Sequence, residues 1–479
     1  MPEPHERQDA ASLRWIALVL AAGEGRRMHS ETPKVLHEAG GRPLLHWPLH
    51  AAREAGARQA VVVVAPGAEQ VRASVEGTFG DFARFAEQPA PRGTGDAVRC
   101  GLQALQGVPP ETLLVVLYGD CPLVRPESLS RLVRAAASAD GPAALVTGEL
   151  ADPSGYGRIL RDAHGRVVAI REHRDCSEAE RAIREVNPGL YAFQAGFLRE
   201  ALERLRPDNA QGELYLTDVV ALAAERGGVA DLPGEMAELR GVNDRVQLAE
   251  AERVLRRRTA ERLARSGVTV RDLDAVVVDP ECEVAPDVVL ERGVHLRGRC
   301  RVGRGAHIDV GCVLTDVEVA PGARLLPYTV ASASRIGEGA QVGPFSHLRP
   351  DSDIGPACRI GNFVETKKTR MDQGAKANHL AYLGDGVIGR GVNVGAGTIF
   401  CNYDGFRKHT TVLEDGVFVG SDSQLVAPVR VGAGAYVASG TTVTRDVPPE
   451  ALAISRVPQK NLEGYATRLK ARLSKRHDD

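Results

Sequence analysis

A short glycine-rich stretch near the start of the sequence could bind phosphate. It consists of Gly23 and Gly25 on either side of an acidic residue, with Arg27 and Lys34 close behind. Glycines let backbone N–H groups approach a phosphate closely, and the two cations would add charge against a triphosphate and its pyrophosphate leaving group. The stretch lacks the third glycine of a dinucleotide-binding loop and the Gly-Lys-Ser/Thr of a P-loop. Alone, it fits an ordinary strand-to-helix turn equally well.

Two side-chain oxygens in the same half could bind Mg²⁺. Asp120 follows the apolar run Leu113–Leu117, and Asn243 lies far downstream. Mg²⁺ usually takes one or two protein oxygens together with substrate phosphates. The pair is therefore a candidate metal site, although an isolated Asp after a strand could equally cap a turn.

The second half contains a group suited to acid–base chemistry. His379 lies in the sequence between Lys367 and Tyr382, and Arg349 precedes them. Histidine can accept a proton near neutral pH, and an attacking amine must lose one. Arg349 and Lys367 would form a cationic clamp for a phosphate monoester. An isolated histidine is more often structural, so the argument depends on its neighbours.

The elements around the first group follow an alternating α/β pattern. The apolar runs Trp15–Ala22, Ala60–Ala65 and Leu113–Leu117 predict buried strands, and Leu45–Ala55 predicts a helix. Continuous β-branched runs separated by helices are typical of a mostly parallel, Rossmann-like sheet covered on both faces. Ligands bind such sheets at the carboxyl ends of the strands. The glycine stretch and Asp120 both come at strand ends.

The second half repeats with a period of six residues. Such a repeat indicates a parallel β-helix whose aliphatic side chains fill a thin prism. The period fails at about 366–386 and 398–417, and breaks of this kind are expected to loop out on the binding face. The aliphatic positions of the repeat are Val284, Leu290, Leu296, Val302, Ile308, Leu314, Ile336, Val342, Leu348, Ile354, Ile360, Ile388, Val394, Leu425, Val431, Val437 and Val443.

A charged segment between the two halves predicts a connecting helix. Asn243 or Asp244 can cap it, Gly267 can end it, and its run Arg256–Arg258 is interpreted as a solvated face. The predicted domains are residues 1–242, the linker helix 243–266, and the β-helix with a loosely ordered C-terminal tail, 267–479.

Composition narrows the range of functions. The chain has 479 residues, a formal net charge of -2 and 43% hydrophobic residues, which argues against global disorder and against nucleic-acid or stable membrane binding. Aromatic residues at 4% and 51 glycines suit a narrow interior with many turns. Eight scattered cysteines without a CxxC pair indicate reduced thiols. The N-terminus has no apolar signal segment, so a cytoplasmic enzyme with a loose extension of about a dozen residues is expected.

The first-half motifs resemble the sugar-1-phosphate nucleotidyltransferases. The string from Leu20 to Met28 with Pro33-Lys34-Val35-Leu36 carries the resemblance, and the later motifs follow in order. The resemblance implies that Asp120 and Asn243 ligate Mg²⁺, that Arg27 and Lys34 act in catalysis, and that Gln88, Gly93 and Thr94 contact uracil. Gly157, Glu172 and Asn187 would contact the sugar. The remaining substrate-binding positions implied are Leu20, Ala21, Ala22, Gly23, Tyr118 and Gly119.

The second-half strings resemble the acetyltransferase part of the bifunctional N-acetylglucosamine-1-phosphate uridyltransferase/glucosamine-1-phosphate acetyltransferase family. By this resemblance His379 is the general base. The implied residues for the sugar phosphate are Arg349, Lys367, Tyr382, Asn393 and Lys408. The implied residues for acetyl-CoA are Ala396, Asn402, Tyr403, Ser421, Ser439 and Arg456.

The family implies two reactions and a homotrimer. Glucosamine-1-phosphate would be acetylated by acetyl-CoA, and N-acetylglucosamine-1-phosphate would then react with UTP, releasing pyrophosphate. The sequence departs from the family pattern at Arg26, Pro188 and Ser439. Two alternatives stay open: a nucleotidyltransferase whose β-helix is only a scaffold, and a non-enzymatic β-helix protein.

Overall fold

The computed structural model describes residues 13–23 and 25–474. The chain forms two compact units, one ending at Thr259 and one beginning at Ala260. The predicted N-terminal extension falls almost entirely outside the described residues. Among those residues, none of the helices is both long enough and apolar enough to cross a membrane.

The first unit is built on one mixed sheet. Four of its strands are neighbours and run parallel. In spatial order they are Ala83–Glu87, Ala60–Val64, Trp15–Leu20 and Leu113–Tyr118. The prediction of a parallel sheet holds for this half. Beyond it, Tyr191–Gln194 runs antiparallel to both its neighbours. The other strands are Ala143–Glu149, Glu185–Asn187, Gly157–Arg161, Val167–Arg171 and Val229–Pro233.

Both faces of this sheet are buried, as the unbroken apolar runs predict. In the strand Trp15–Leu20, Ala17 and Val19 pack into one core while Ile16 and Leu18 pack into another on the opposite face. The helices that cover the faces and edges are His46–Glu54, Glu69–Phe79, Thr94–Gln103, Pro126–Ser138, Glu178–Arg181, Ala195–Arg204, Asp218–Glu225 and Met236–Leu239.

The predicted connecting helix spans Arg245–Arg265. The Asp244 carboxylate accepts a hydrogen bond from the Gln247 N–H at 2.9 Å, so Asp244 is the cap. The interpretation of the arginine run as a solvated face is wrong for Arg258. Its guanidinium donates to the Leu123 carbonyl at 2.7 Å, and burial lowers its pKa.

The second unit is a three-faced prism of parallel coils, and its hexapeptide repeat is confirmed. Each aliphatic position of the repeat points inward, and all are buried except the half-buried Val284. The first face contains Val289–Leu290, His307–Ile308, Arg324–Leu325, Gln341–Val342, Asn393–Val394, Phe418–Val419 and Tyr436–Val437. The second contains His295–Arg297, Val313–Thr315, Val330–Ser332, His347–Leu348, Ile399–Cys401, Gln424–Val426 and Thr442–Val443.

The third face has its own sheet, and two longer strands run from the first face onto the second. The third-face strands are Glu283–Val284, Arg301–Val302, Glu318–Val319, Arg335–Ile336, Asp353–Ile354, Arg370–Met371, Gly386–Ile388, Thr411–Leu413 and Val429–Val431. The longer strands are Arg359–Lys367 and Lys376–Gly384. Shorter strands at the ends of the prism are Thr269–Val270, Val277–Val278 and Leu452–Ala453.

One of the two predicted breaks in the repeat is wrong. Residues 366–386 do not loop out, because strand Lys376–Gly384 pairs in parallel with Arg359–Lys367 throughout. The aliphatic period is interrupted there because Thr366 and Ala377 take the interior positions that Leu348 and Ile360 occupy in the preceding coil. The second predicted break, 398–417, contains a true excursion only between the coil strands Ile399–Cys401 and Thr411–Leu413, and a bridge between Tyr403 and Lys408 closes it.

The chain turns between the first and second faces through left-handed residues. We call this line of turns the first edge. Tyr328, Phe345, Phe363 and Leu380 occupy equivalent positions there in consecutive coils, with φ between 34° and 60°. The three rings stack with centroids 5.3 and 5.8 Å apart, and all four side chains are half exposed or more. This exposed apolar stack is the aromatic ladder.

The C-terminal tail differs from its prediction. The sequence predicts a loosely ordered tail over residues 464–479, but Tyr465–Ser474 is an α-helix with none of its residues buried. Residues 475–479 lie outside the described part of the chain. Alanine, leucine and arginine, which favour helices, explain the difference.

The interior of the prism predicts a local stability effect. Replacing the buried Ile360 with Ala should lower the free energy of unfolding by roughly 2–5 kcal/mol, because a cavity remains between coils. The neighbouring exposed Arg359→Ala is the matched control. Hydrogen exchange of the strands Arg359–Lys367 and Lys376–Gly384 in increasing urea would measure both. Equal effects of the two changes would contradict the inward assignment.

Candidate active sites

A cavity of about 240 Å³ opens at the carboxyl ends of the central parallel strands of the first unit. Sequence reasoning predicted most of its lining. The predicted residues found there are Leu20, Ala21, Ala22, Gly23, Lys34, Gln88, Gly93, Thr94, Tyr118 and Asp120. The lining residues that it missed are Val35, Pro91, Ala97 and Glu213, of which only Val35 belongs to a motif.

Lys34, Asp120 and Asn243 meet at one side of this cavity. The Lys34 ammonium donates to the Asp120 carboxylate, and Asn243 Oδ1 lies 3.4 Å from the same Nζ. Backbone pairing brings these distant segments together, since the Val242 N–H donates to the Asp120 carbonyl at 2.8 Å. Gly25 allows the approach of Lys34, because a Cβ at Gly25 would collide with the lysine side chain.

Arg27 is not part of this group in the described chain. It lies exposed on the short helix Arg26–Met28 and does not line the cavity. Gly119 contributes by its lack of a side chain, because a Cβ there would lie 2.9 Å from Leu45 and 3.2 Å from the Leu20 carbonyl.

The predicted sugar contacts form a second group beside Tyr118. Gly157 and Asn187 are paired across antiparallel strands. The Asn187 amide donates to the Tyr191 hydroxyl at 2.5 Å, and its oxygen accepts from the Gly189 N–H at 3.1 Å. Pro188 therefore leaves the Asn187 side chain fixed.

Glu172 completes the second group. Burial raises the pKa of its carboxyl, although the hydroxyl of Thr217 donates to it at 3.1 Å. No motif pointed to Thr217. Tyr118 lines the cavity and also lies beside the second group, since a Cβ at Gly189 would be 2.6 Å from its ring. Burial, and after it the charge of Glu172, raises the pKa of Tyr118.

On the prism, His379 begins a vertical row along the first edge. It lies on Lys376–Gly384, directly opposite Asn362. The coil register continues the row through Ala396, Ser421 and Ser439, since Gly397 N–H donates to the Leu380 carbonyl at 2.7 Å and Asp422 N–H to the Ala396 carbonyl at 2.7 Å. Arg456 joins at the far end, where its guanidinium donates to the Ser439 carbonyl. We call this line the His379 row.

The predicted phosphate clamp lies on the second edge, where the second face meets the third. The Arg349 N–H donates to the Thr366 carbonyl at 2.9 Å, which stacks Arg349 beside Lys367 in the next coil. Arg349 is also paired with Glu365 at 2.9 Å, and this contact raises its pKa. The role of Glu365 was missed, although it belongs to the same sequence string.

Tyr382 and Asn402 lie together on the second face. Asn402 Nδ2 is 3.5 Å from the Tyr382 hydroxyl and also donates to the Asp385 carboxylate. In the excursion, the Lys408 ammonium lies 4.4 Å from the centre of the Tyr403 ring, a cation–π contact. Asn393 is not brought to this group within one chain, because it lies on the first face between Lys376 and Phe418.

Comparisons with known proteins identify a domain family in each unit. Residues 17–213 match the MobA-like NTP transferase domain. Residues 333–368 match the bacterial transferase hexapeptide repeat, which supports a left-handed β-helix.

Relatives that match almost the whole chain are also found. The chain is 60% identical to the bifunctional protein GlmU of Sorangium cellulosum over 95% of this chain and 97% of the relative. It is 51% identical to that of an Anaeromyxobacter species, covering 95% and 93%, and 49% identical to that of Trichlorobacter lovleyi, covering 94% and 97%. The chain therefore belongs to the GlmU family of bifunctional proteins.

Proposed function

We propose that this protein makes UDP-N-acetylglucosamine in two steps, one on each unit. The prism transfers the acetyl group of acetyl-CoA to glucosamine-1-phosphate. The first unit then joins N-acetylglucosamine-1-phosphate to UTP and releases pyrophosphate. The observation that carries the proposal is the convergence of Lys34, Asp120 and Asn243 at the cavity, together with the His379 row on a separate unit.

Uridyl transfer requires that the two reactants are positioned and that the charge of their phosphates is neutralised. A phosphate oxygen of the sugar phosphate attacks the α-phosphorus of UTP, and the bond to the β-phosphate oxygen breaks. Lys34 is placed to stabilise the negative charge of the reacting phosphates. Glu172 and Asn187 hold the sugar. The Tyr191 hydroxyl and the Gly189 N–H fix the Asn187 amide before the sugar arrives.

The donor set fits Mg²⁺. Asp120 and Asn243 already direct one oxygen each towards a single cation, the Lys34 ammonium. Asp120 and Asn243 would hold Mg²⁺, which when bound neutralises phosphate charge and leaves coordination positions for substrate oxygens.

Acetyl transfer uses the exposed His379. Its imidazole accepts a proton from the glucosamine amine as the nitrogen attacks the thioester carbonyl. The C–S bond then breaks, and the leaving thiolate takes up that proton from the imidazolium to give CoA as a thiol. Arg349 and Lys367 bind the sugar phosphate by charge-assisted hydrogen bonds. Ala396, Ser421, Ser439 and Arg456 then extend from His379 along the row as the acetyl-CoA site. Asn402 and Tyr403 follow the second face and would join this site from a neighbouring copy.

The prism works as a homotrimer in this proposal. His379 lies on the first edge while Arg349 and Lys367 lie on the second, five residues apart along each strand or at most roughly 16 Å. A neighbouring copy that set its second edge against the first edge would bring the two together. The exposed aromatic ladder along the first edge supports such an apolar contact. Cyclic assemblies close without free faces.

The scaffold alternative explains less of the prism. A scaffold needs neither the Tyr403–Lys408 excursion nor a row that continues from His379 to Arg456. The curated relatives are themselves called bifunctional. We place the enzyme in the cytoplasm, and its eight free cysteines support a reducing compartment.

The two activities should separate by mutation. In an assay with acetyl-CoA, glucosamine-1-phosphate, UTP and Mg²⁺, His379→Ala should lose about 100-fold or more of CoA release, since general base catalysis is removed. Asp120→Ala should abolish pyrophosphate release, and EDTA should do the same to the native protein. Each variant should retain the other activity when given its own substrate. Pyrophosphate release without any CoA release by the native protein would establish the scaffold alternative instead.

Mixed assemblies should test whether copies share a site. His379→Ala and Lys367→Ala chains, each inactive in acetyl transfer alone, should regain up to about a quarter of native activity when co-expressed as trimers. The intact His379 of one copy would then meet the intact Lys367 of the next. Native mass spectrometry would count the subunits. Mixed trimers that stay inactive would show that each copy builds its own site.

Gly384 is predicted to be essential for the shape of the acetyl-transfer site around Tyr382 and Asn402. A Cβ there would lie 2.5 Å from both Asn402 Nδ2 and the Tyr382 hydroxyl. Gly384→Ala should lower acetyl transfer by about 10- to 100-fold through misplacement, with uridyl transfer unchanged. Gly77→Ala is the matched control, because nothing lies within 4 Å of its added methyl group. Unchanged CoA release from Gly384→Ala would exclude this role.

A further inference from the structure

The Gln88 side chain uses both of its amide hydrogens inside the protein. Its Nε2 donates to the Gly93 carbonyl at 3.2 Å and to the Asp96 carboxylate at 3.0 Å. Gln88 and Asp96 are only 7% and 5% exposed, so water does not compete for these contacts. The nitrogen end of the amide is therefore fully occupied.

The two partners fix which way the amide faces. A carbonyl oxygen and an ionised carboxylate can only accept hydrogen bonds, so Nε2 and not Oε1 must face them. The other Asp96 oxygen is held by the Arg99 guanidinium. In the described part of the chain no group donates to Gln88 Oε1. Because Gln88 lines the nucleotide cavity, this oxygen is the polar atom left for a ligand.

The start of the helix Thr94–Gln103 positions Asp96. Gly93 has φ of 103°, and the Gly95 N–H donates to the Leu214 carbonyl at 2.8 Å. A Cβ at Gly95 would lie 2.9 Å from that carbonyl, so glycine lets the helix start close to the loop that contains Leu214. Asp96 lies in the first turn, where a negative charge is favourable.

We propose that Asp96 is a positioning residue that sets the nucleobase specificity of the site. By holding the Gln88 amide with its oxygen towards the cavity, it selects a pyrimidine whose N3 carries a hydrogen, as in uracil or thymine. Cytosine presents an unprotonated N3, which would face the Gln88 oxygen as a second acceptor. This inference rests on the proposed uridyl transfer and goes beyond it, because it assigns the choice of base to a residue that does not touch the base.

Asp96→Asn tests the inference. The Asn oxygen would pair with Arg99 and turn its own NH₂ towards Gln88 Nε2, so that two donors would face each other. Only the Gly93 carbonyl would then favour the native orientation of the Gln88 amide, and part of the molecules would present its nitrogen to the base. The ratio of kcat/KM for UTP to that for CTP should fall about tenfold or more, mainly through KM. Calorimetry with UTP and CTP in the absence of sugar phosphate should show the same change in relative affinity.

Glu238→Gln is the matched control. Glu238 is also 5% exposed and paired with an arginine, Arg125 at 2.8 Å, but it contacts neither Gln88 nor the cavity. It should lower stability comparably without changing the UTP to CTP ratio. Asp96→Ser provides a second variant if Asn is not tolerated, since it frees the Gln88 amide to adopt either orientation and should give an intermediate ratio.

The possible outcomes distinguish a failure of the proposed uridyl transfer from a failure of the proposed role of Asp96. A native protein that releases pyrophosphate from no nucleotide would refute the proposed uridyl transfer. A native protein that prefers UTP, with folded Asp96→Asn and Asp96→Ser variants that keep the native UTP to CTP ratio, would overturn the role of Asp96 alone. A lowered ratio in Glu238→Gln as well would also overturn it, because loss of any buried carboxylate would then have the same effect.

Discussion

The parallel register between coils is the constraint on which the second unit depends. Each coil must place an aliphatic side chain in the prism, so the outward side chains of successive coils fall into vertical rows. His379, Ala396, Ser421 and Ser439 belong together for this reason. The corresponding constraint in the first unit is the parallel alignment of four strands, which brings Gly23, Gln88 and Asp120 to one edge of the sheet.

Much of this arrangement could be predicted from the sequence, because the signals are periodic. The aliphatic spacing of six identified the interior of the prism, and continuous apolar runs identified the central strands. The same reasoning failed where the period was hidden. Thr366 and Ala377 stand inside the coils where the preceding coil has Leu348 and Ile360, so that segment was predicted to loop out although its register is intact.

Contacts between distant segments were the other part that the sequence could not provide. Glu365 with Arg349, Thr217 with Glu172 and Asp96 with Gln88 are pairs whose partners have no fixed spacing, and only the folded chain shows them. Arg258 is similar, because its burial against Leu123 depends on how the helix packs. Charged residues in a helix are predicted to be solvated until a packing partner is known.

The stacking of coils also fixes the spacing between equivalent residues along the prism. Neighbouring strands are about 4.8 Å apart, so His379 and Ser439 are separated by three coil spacings, or roughly 14 Å along the edge. A site built in this way can change its span only in whole steps, by gaining or losing a coil. Inserting a single residue within a coil would instead move every later side chain out of its row. The His379 row is thus tolerant of length changes in the excursion that the Tyr403–Lys408 bridge closes, and intolerant of them in the coils on either side.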